Sequence, residues 1–236
     1  MIAPRRLFVA ASLLLTSFAT AQQLAPTYVQ IDPARSQAGQ TSLTNVTQKP
    51  QNYVVRAVKW TVENGQSVLT DTKDVILSPA AFTLVPGASQ VVRIGIRKRV
   101  EGTEATYRVL LEEQPIASSP TTQQAAGGVV LNIQQTTTYS VPVYVTPANS
   151  APNLSYGAKV DGNDLVLTAQ NSGTRSQLMN NPEVSAGGQK MTVSGAAVLA
   201  NSAQIWRLSG WAKVSGPLKL TFTDRTGKQF SADIPR

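Results

Sequence analysis

Apolar and polar residues alternate with a period of two along much of the chain, and helical periodicity is absent from it beyond the first two dozen residues. The longest alternating run, VVLNIQQTTTYSVPVYV from Val129 to Val145, predicts one β-strand of 17 residues, against a usual length of about five or six. Its odd positions Val129, Leu131, Ile133, Tyr139, Val141, Val143 and Val145 form an apolar face, while Asn132, Gln134, Thr136, Thr138 and Ser140 line the other. A strand of that length overhangs its own domain. Such an overhang is an aggregation hazard unless something pairs with it, and it is suited to adding a strand to a partner.

Shorter strands are predicted on both sides of it. Tyr53 to Val62 alternates and stops at Asn64-Gly65, a strong hairpin signal, and Val75–Leu77, Val91–Ile96 and Thr106–Glu112 follow. Further on come Asp164–Ala169, Gln189–Val193, Ala203–Leu208 and Leu218–Thr223, the last joined to Gln229–Ile234 through a turn at Asp224-Arg225-Thr226-Gly227. Pro115 to Gly128 is small and polar and is expected to be a loop. Thr146 to Asn153 carries Pro147 and Pro152 and no aliphatic residue larger than alanine, the composition of a linker. The expected organisation is therefore all-β, with two immunoglobulin-like β-sandwich domains at 22–147 and 148–236, the second the smaller. Trp60 and Tyr107 stand where such domains bury a tryptophan and place a tyrosine corner, although ordinary core aromatics would look the same.

The first 21 residues read as a secretory signal peptide: Arg5 and Arg6, an apolar stretch from Leu7 to Leu15, then Ala19-Thr20-Ala21. The remaining chain is expected to be exported, with cleavage after about Ala21 and no membrane insertion afterwards. Net charge is +8, and without Arg5 and Arg6 it is 8 − 2 = +6. The basic residues are scattered, with Arg97-Lys98-Arg99 the one tight cluster, read as a solvated hairpin end. No aromatic-interleaved basic surface appears, which argues against nucleic acid.

Cysteine and histidine are both absent, which removes thiol chemistry, the commonest general base and the commonest metal ligand. Of the carboxylates, Glu112 and Glu113 are neighbours on a strand and point to opposite faces. Asp161-Gly162-Asn163-Asp164 lacks the later glutamate of a calcium loop and reads as a tight hairpin. Neither an enzyme, nor a cofactor, nor a metal site is expected.

Several stretches in order resemble the periplasmic pilus-assembly chaperones of the chaperone/usher pathway, the PapD-like family. They are Ile76-Leu77-Ser78-Pro79, then Phe82-Thr83-Leu84-Val85-Pro86-Gly87 with Gln90-Val91-Val92-Arg93-Ile94, then Thr106-Tyr107-Arg108-Val109-Leu110-Leu111-Glu112-Glu113-Gln114-Pro115. Asn171-Ser172-Gly173 is similar to a turn of the family's second domain. The resemblance spans roughly Gln30 to Leu208 and is strongest in the first half; the loop Val198 to Ala203 departs from it, lacking the family's Pro-Gly.

That resemblance implies two immunoglobulin-like domains set at an angle. It implies a non-enzymatic periplasmic chaperone that lends a strand to pilin or fimbrial subunits and passes them to an outer-membrane usher. The donor positions it marks are Val129, Leu131, Ile133 and Gln135. Arg35 matches one of two basic residues that hold the subunit's terminal carboxylate. The residue matching the other is Pro142, which carries no charge, so either a different basic residue or a different anchorage is expected. The alternative reading, a structural or adhesive envelope protein, accounts for the export signal and the strands but not for the ordered motifs.

Overall fold

The computed structural model describes residues 22–115, 121–124, 130–133 and 136–236. In the first half run β1 (Gln23–Ala25), β2 (Val29–Ile31), β3 (Ala38–Thr44), β4 (Gln51–Glu63), β5 (Gln66–Asp71) and β6 (Val75–Ser78). They are followed by β7 (Ala81–Leu84), β8 (Ser89–Ile96), β9 (Ala105–Gln114), β10 (Thr121–Gln124), β11 (Val130–Ile133) and β12 (Thr138–Val145). One sheet has the order β1-β3-β8-β6, and the facing sheet β2-β12-β9-β4-β5 with β7 also on β4. The second half holds β13 (Leu154–Asp161), β14 (Asp164–Asn171), β15 (Gln177–Ala186), β16 (Gln189–Thr192), β17 (Ala196–Val198), β18 (Ser202–Leu208), β19 (Leu218–Thr223) and β20 (Gln229–Ile234). Its sheets are β13-β14-β18 and β16-β15-β19-β20, with β17 on β15. The chain is thus two immunoglobulin-like sandwiches, and a single 3-10 turn at Trp211–Lys213 is its only helical element among the described residues.

Period-two alternation builds each core. Tyr53 and Val55 of β4, Val92, Ile94 and Ile96 of β8, Tyr107, Val109 and Leu111 of β9, and Val141, Val143 and Val145 of β12 meet in one buried cluster. Leu165 and Leu167, Val184, Trp206 and Leu208, and Leu218, Leu220 and Phe222 make the second. Each such side chain contributes about 1.5 to 3 kcal/mol of transfer free energy. The Asn64-Gly65 turn joins β4 to β5 with φ of 51° and 76°, the left-handed conformation that these two residues tolerate best.

The structure corrects four expectations. The expected single strand is interrupted: among the described residues β11 (Val130–Ile133) and β12 (Thr138–Val145) are separate strands, and Thr136 and Thr137 belong to neither. Part of the expected loop, Thr121–Gln124, is strand β10, antiparallel to β11 with Thr121 opposite Ile133 and Gln124 opposite Val130. Backbone pairing to a strong strand forms it without an apolar face of its own. Trp60 is buried, but outside the sandwich core, against Tyr144 of its own half and Leu199 of the other. Tyr107 is a core residue whose hydroxyl donates to the Asp74 carboxylate at 3.1 Å and not to backbone, so it forms no tyrosine corner. Burial, and then the Asp74 charge, push its pKa up. Tyr107→Phe is expected to cost about 1.5 kcal/mol, the net worth of a hydrogen bond to a charged group; a urea midpoint equal to wild type would show that water replaces Tyr107 at Asp74.

A buried asparagine organises a turn in each half. Asn45 Nδ2 donates to the carbonyls of Lys49 (2.8 Å) and Leu84 (3.0 Å), and its Oδ1 accepts from the Thr47 amide at 2.9 Å. Asn171 Nδ2 donates to Arg175 (2.8 Å), Val198 (3.0 Å) and Leu199 (3.1 Å), and its Oδ1 accepts from the amides of Asn153 and Gly173, both at 3.0 Å. The second network also pins the connection between the halves. Ser172 N–H donates to Asn153 O at 2.9 Å and Thr174 N–H to Ala151 O at 2.8 Å.

Candidate functional site

Two features converge on the last strands of the first domain: an open sheet edge and a cleft against the second domain. β12 pairs along its whole length with β9, from Thr138 opposite Glu112 to Val145 opposite Ala105. On its other side the parallel strand β2 covers only Val143 to Val145. The edge from Thr138 to Pro142 therefore faces no strand among the described residues. Pro142 sits where the open edge meets β2, a place that tolerates a residue without an N–H. The register through it is continuous, without a bulge.

β11 comes just before this edge and pairs on one side with β10, Leu131 opposite Gln123 and Ile133 opposite Thr121. Val129 and Gln135, expected at the two ends of the donor segment, lie outside the described residues.

On β9 the core takes Tyr107, Val109 and Leu111, so the alternate residues Thr106, Arg108 and Leu110 project from the opposite face. Arg108 stands directly across from Pro142. Its guanidinium lies over the Trp60 ring, 4.0 Å from the centroid, and donates to Ser140 Oγ at 3.1 Å. Partial burial holds its pKa below the ordinary arginine value. Arg108, Pro142, Trp60 and Tyr144 line a groove of about 470 Å³ completed by Leu178, Asn180 and Ala196 of the second domain.

Arg35 lies elsewhere. It belongs to the turn after β2 and not to a strand, its side chain is exposed, and it pairs with Asp32 at 3.3 Å. The structure does not bring it into the groove of Arg108 and Pro142. The strand on which the resemblance placed Arg35 ends at Ile31, and residues 33–35 form a turn.

Two further groups join the domains. Glu104 is buried; its carboxylate accepts from Thr146 Oγ1 at 2.7 Å and from the Ser176 amide at 3.0 Å, while its own amide donates to Thr174 O at 2.8 Å. Arg225 reaches over from the β19–β20 turn. Its guanidinium lies 3.7 Å from the centroid of Tyr144 and 5.5 Å from that of Tyr28, and donates to Ser176 Oγ at 3.3 Å and Gln30 Oε1 at 3.5 Å. The turn that holds Arg225 is organised by Asp224, whose Oδ1 accepts from Thr226 N at 2.8 Å, Thr226 Oγ1 at 2.7 Å and Lys228 N at 3.0 Å. Those donors, the Thr226 hydroxyl foremost, hold its carboxyl below the usual range.

Sequence reasoning missed Arg108, Glu104 and Arg225 as cleft residues. Alternation around Tyr107 was the available signal for Arg108, since it sets that residue opposite to the core. Nothing local distinguishes Glu104 or Arg225, whose roles depend on contacts between domains. The acidic candidates are accounted for structurally: Glu112 pairs with Arg56 at 2.9 Å, and Asp161 and Asp164 flank a two-residue turn and both pair with Arg207.

Residues 22–150 match the family described as pili and flagellar-assembly chaperone, PapD N-terminal domain. No curated protein matches the chain in sequence. In fold it is similar to a chain of the CsuC–CsuE chaperone–tip adhesion subunit pre-assembly complex from archaic chaperone-usher Csu pili of Acinetobacter baumannii, at 16% identity and a TM-score of 0.68, covering 92% of this chain and 99% of that one. It is similar to the E. coli chaperone DraB at 17% identity and a TM-score of 0.60, over 90% and 97% of the two chains. A chain of the Salmonella enterica SafA pilin in complex with the SafB chaperone gives 16% and 0.60 over 90% and 96%.

Proposed function

The chain belongs to the family of pili and flagellar-assembly chaperones with a PapD N-terminal domain, and from that premise we propose that it binds and stabilises pilin or fimbrial subunits in the periplasm by donor-strand complementation and delivers them to an outer-membrane usher. Residues 22–147 form the subunit-binding domain in this reading and 148–236 the second domain. The subunit adds its strand to the edge formed by β11 and the open part of β12, with Val129, Leu131, Ile133 and Gln135 as the donor positions. The observation that carries the reading is the short cover of that edge: β2 pairs with three residues of β12, and on that side Thr138 to Pro142 face no strand among the described residues.

Each backbone bond added along such an edge contributes about 0.5 to 1.5 kcal/mol, and each aliphatic side chain sunk into a subunit groove about 1.5 to 3 kcal/mol. The subunit's terminal carboxylate is assigned to arginine, whose fork fits a carboxylate. The resemblance gives one part to Arg35, but that residue sits on the exposed turn after β2, paired with Asp32 and apart from the groove. Arg108, across the ladder from Pro142, takes the part of the missing basic residue.

The test is co-expression with a pilin subunit encoded beside this gene. In Leu131→Arg/Ile133→Arg, loss of two apolar contacts is expected to weaken capture by about 100-fold or more, with thermal unfolding of the chaperone alone unchanged. Wild-type capture by the double variant would remove strand donation at β11.

A further inference from the structure

The cleft contains an ordered stack that crosses from one domain to the other. Arg225, from the second domain, lies on Tyr144 of β12 at 3.7 Å. Tyr144 meets Trp60 of β4 edge-on, with centroids 6.2 Å apart and planes at 64°. Arg108 of β9 lies on the other end, 4.0 Å from the Trp60 centroid. Both aromatic rings are almost wholly buried, Tyr144 at 3% exposure and Trp60 at 5%. Neither arginine has a carboxylate within 4.0 Å among the described residues. Their positions are therefore set by ring faces and by the hydrogen bonds to Ser140, Gln30 and Ser176, and a flat guanidinium suits that role in a way an ammonium does not.

Tyr144 is held from one side by its own domain and from the other by Arg225, and Trp60 is fixed in turn by Leu199 of the second domain. We propose that Arg225 is a positioning residue for Arg108: by stacking on Tyr144, the second domain fixes the Tyr144–Trp60 pair and so sets the guanidinium that faces the groove beside Pro142. The second domain then takes part in subunit capture without touching the donor strand. This rests on reading Arg108 as the seat of the subunit carboxylate.

The test uses the full chain with 5-fluorotryptophan in place of its three tryptophans, Trp60, Trp206 and Trp211. The Trp60 resonance is assigned by its loss in Trp60→Phe. In Arg225→Ala the Trp60 fluorine resonance is expected to shift while those of Trp206 and Trp211, in the core of the second domain, stay in place. Capture of the co-expressed pilin subunit is expected to fall by about tenfold. Arg225→Lys, which keeps the charge and loses the flat face, is expected to lie between Arg225→Ala and wild type in both measurements. An unmoved Trp60 resonance in Arg225→Ala overturns the proposal, and so does a shifted resonance with wild-type capture. Should the wild-type chain capture no subunit, the chaperone reading falls, while the Trp60 resonance still decides whether Arg225 sets the stack.

Discussion

Asn171→Ala is expected to lower the stability of the second domain by about 4 kcal/mol. The side chain is fully buried and connects five backbone groups: the carbonyls of Arg175, Val198 and Leu199 and the amides of Asn153 and Gly173. Alanine leaves all five without their partner, at about 1 to 3 kcal/mol for each group that water cannot reach. Part of that is recovered by relaxation, which places the total near the upper end of single substitutions. Asn45→Ala removes the corresponding network from the first domain and is expected to act in the same direction with a smaller effect, since Thr47 on its exposed loop regains water. Urea unfolding of the two variants measures both. A wild-type midpoint for Asn171→Ala would show that the turn is held by its strands and not by the amide.

Gly173→Ala is expected to cost about 3 kcal/mol for a different reason. A methyl group there falls 2.4 Å from Ala151 O, 2.4 Å from Asn153 N and 2.7 Å from the Pro152 carbonyl carbon. All three are backbone atoms, and the segment that carries them is bonded to the same turn through Ser172 and Thr174. Overpacking costs about 1 to 3 kcal/mol where side chains can yield; here the connection between the domains must move. The clash also carries to the cleft, because Thr174 O receives the Glu104 amide. The predicted signature is a lower urea midpoint together with weaker subunit capture. A variant that loses capture at wild-type stability would place the strain in the cleft alone.

The strands with regular alternation were legible from residue types. β4, β8, β9, β12, β14, β18, β19 and β20 each carry a run of inward aliphatic or aromatic residues, and each was expected close to where it lies. Three of the missed strands, β3, β15 and β10, share a physical reason. β3, AGQTSLT, carries one large aliphatic residue, Leu43, and is held by pairing to β8. β15 contains Pro182 and shifts register between Asn180 and Glu183, so its alternation is broken along its length. β10 has no apolar face and owes its form to β11. Backbone pairing decides all three, to distant strands for β3 and β15 and to the neighbouring β11 for β10, and the pattern of residue types within the strand does not record it.

The open edge of β12 was half legible. Alternation located the residues of the strand but could not show that Thr136 and Thr137 belong to neither β11 nor β12, nor that β2 stops short. The cleft was less so. Trp60 and Tyr144 look like core aromatics because they are buried, yet their partner, Leu199, belongs to the other domain. Arg35 was placed by resemblance on a first strand that ends at Ile31.

The pairing of β2 with β12 joins Val29 to Val143, a separation of 143 − 29 = 114 residues. Contacts so distant along the chain make folding slow, because a long loop must close before the pairing rewards it. The strand at Val29 to Ile31 thus waits for one synthesised more than a hundred residues later. The first domain cannot finish its sheet on a nascent chain that has not yet released Val145. Until then Val29 to Ile31 have no β12 to pair with, and the sheet edge they partly cover does not exist.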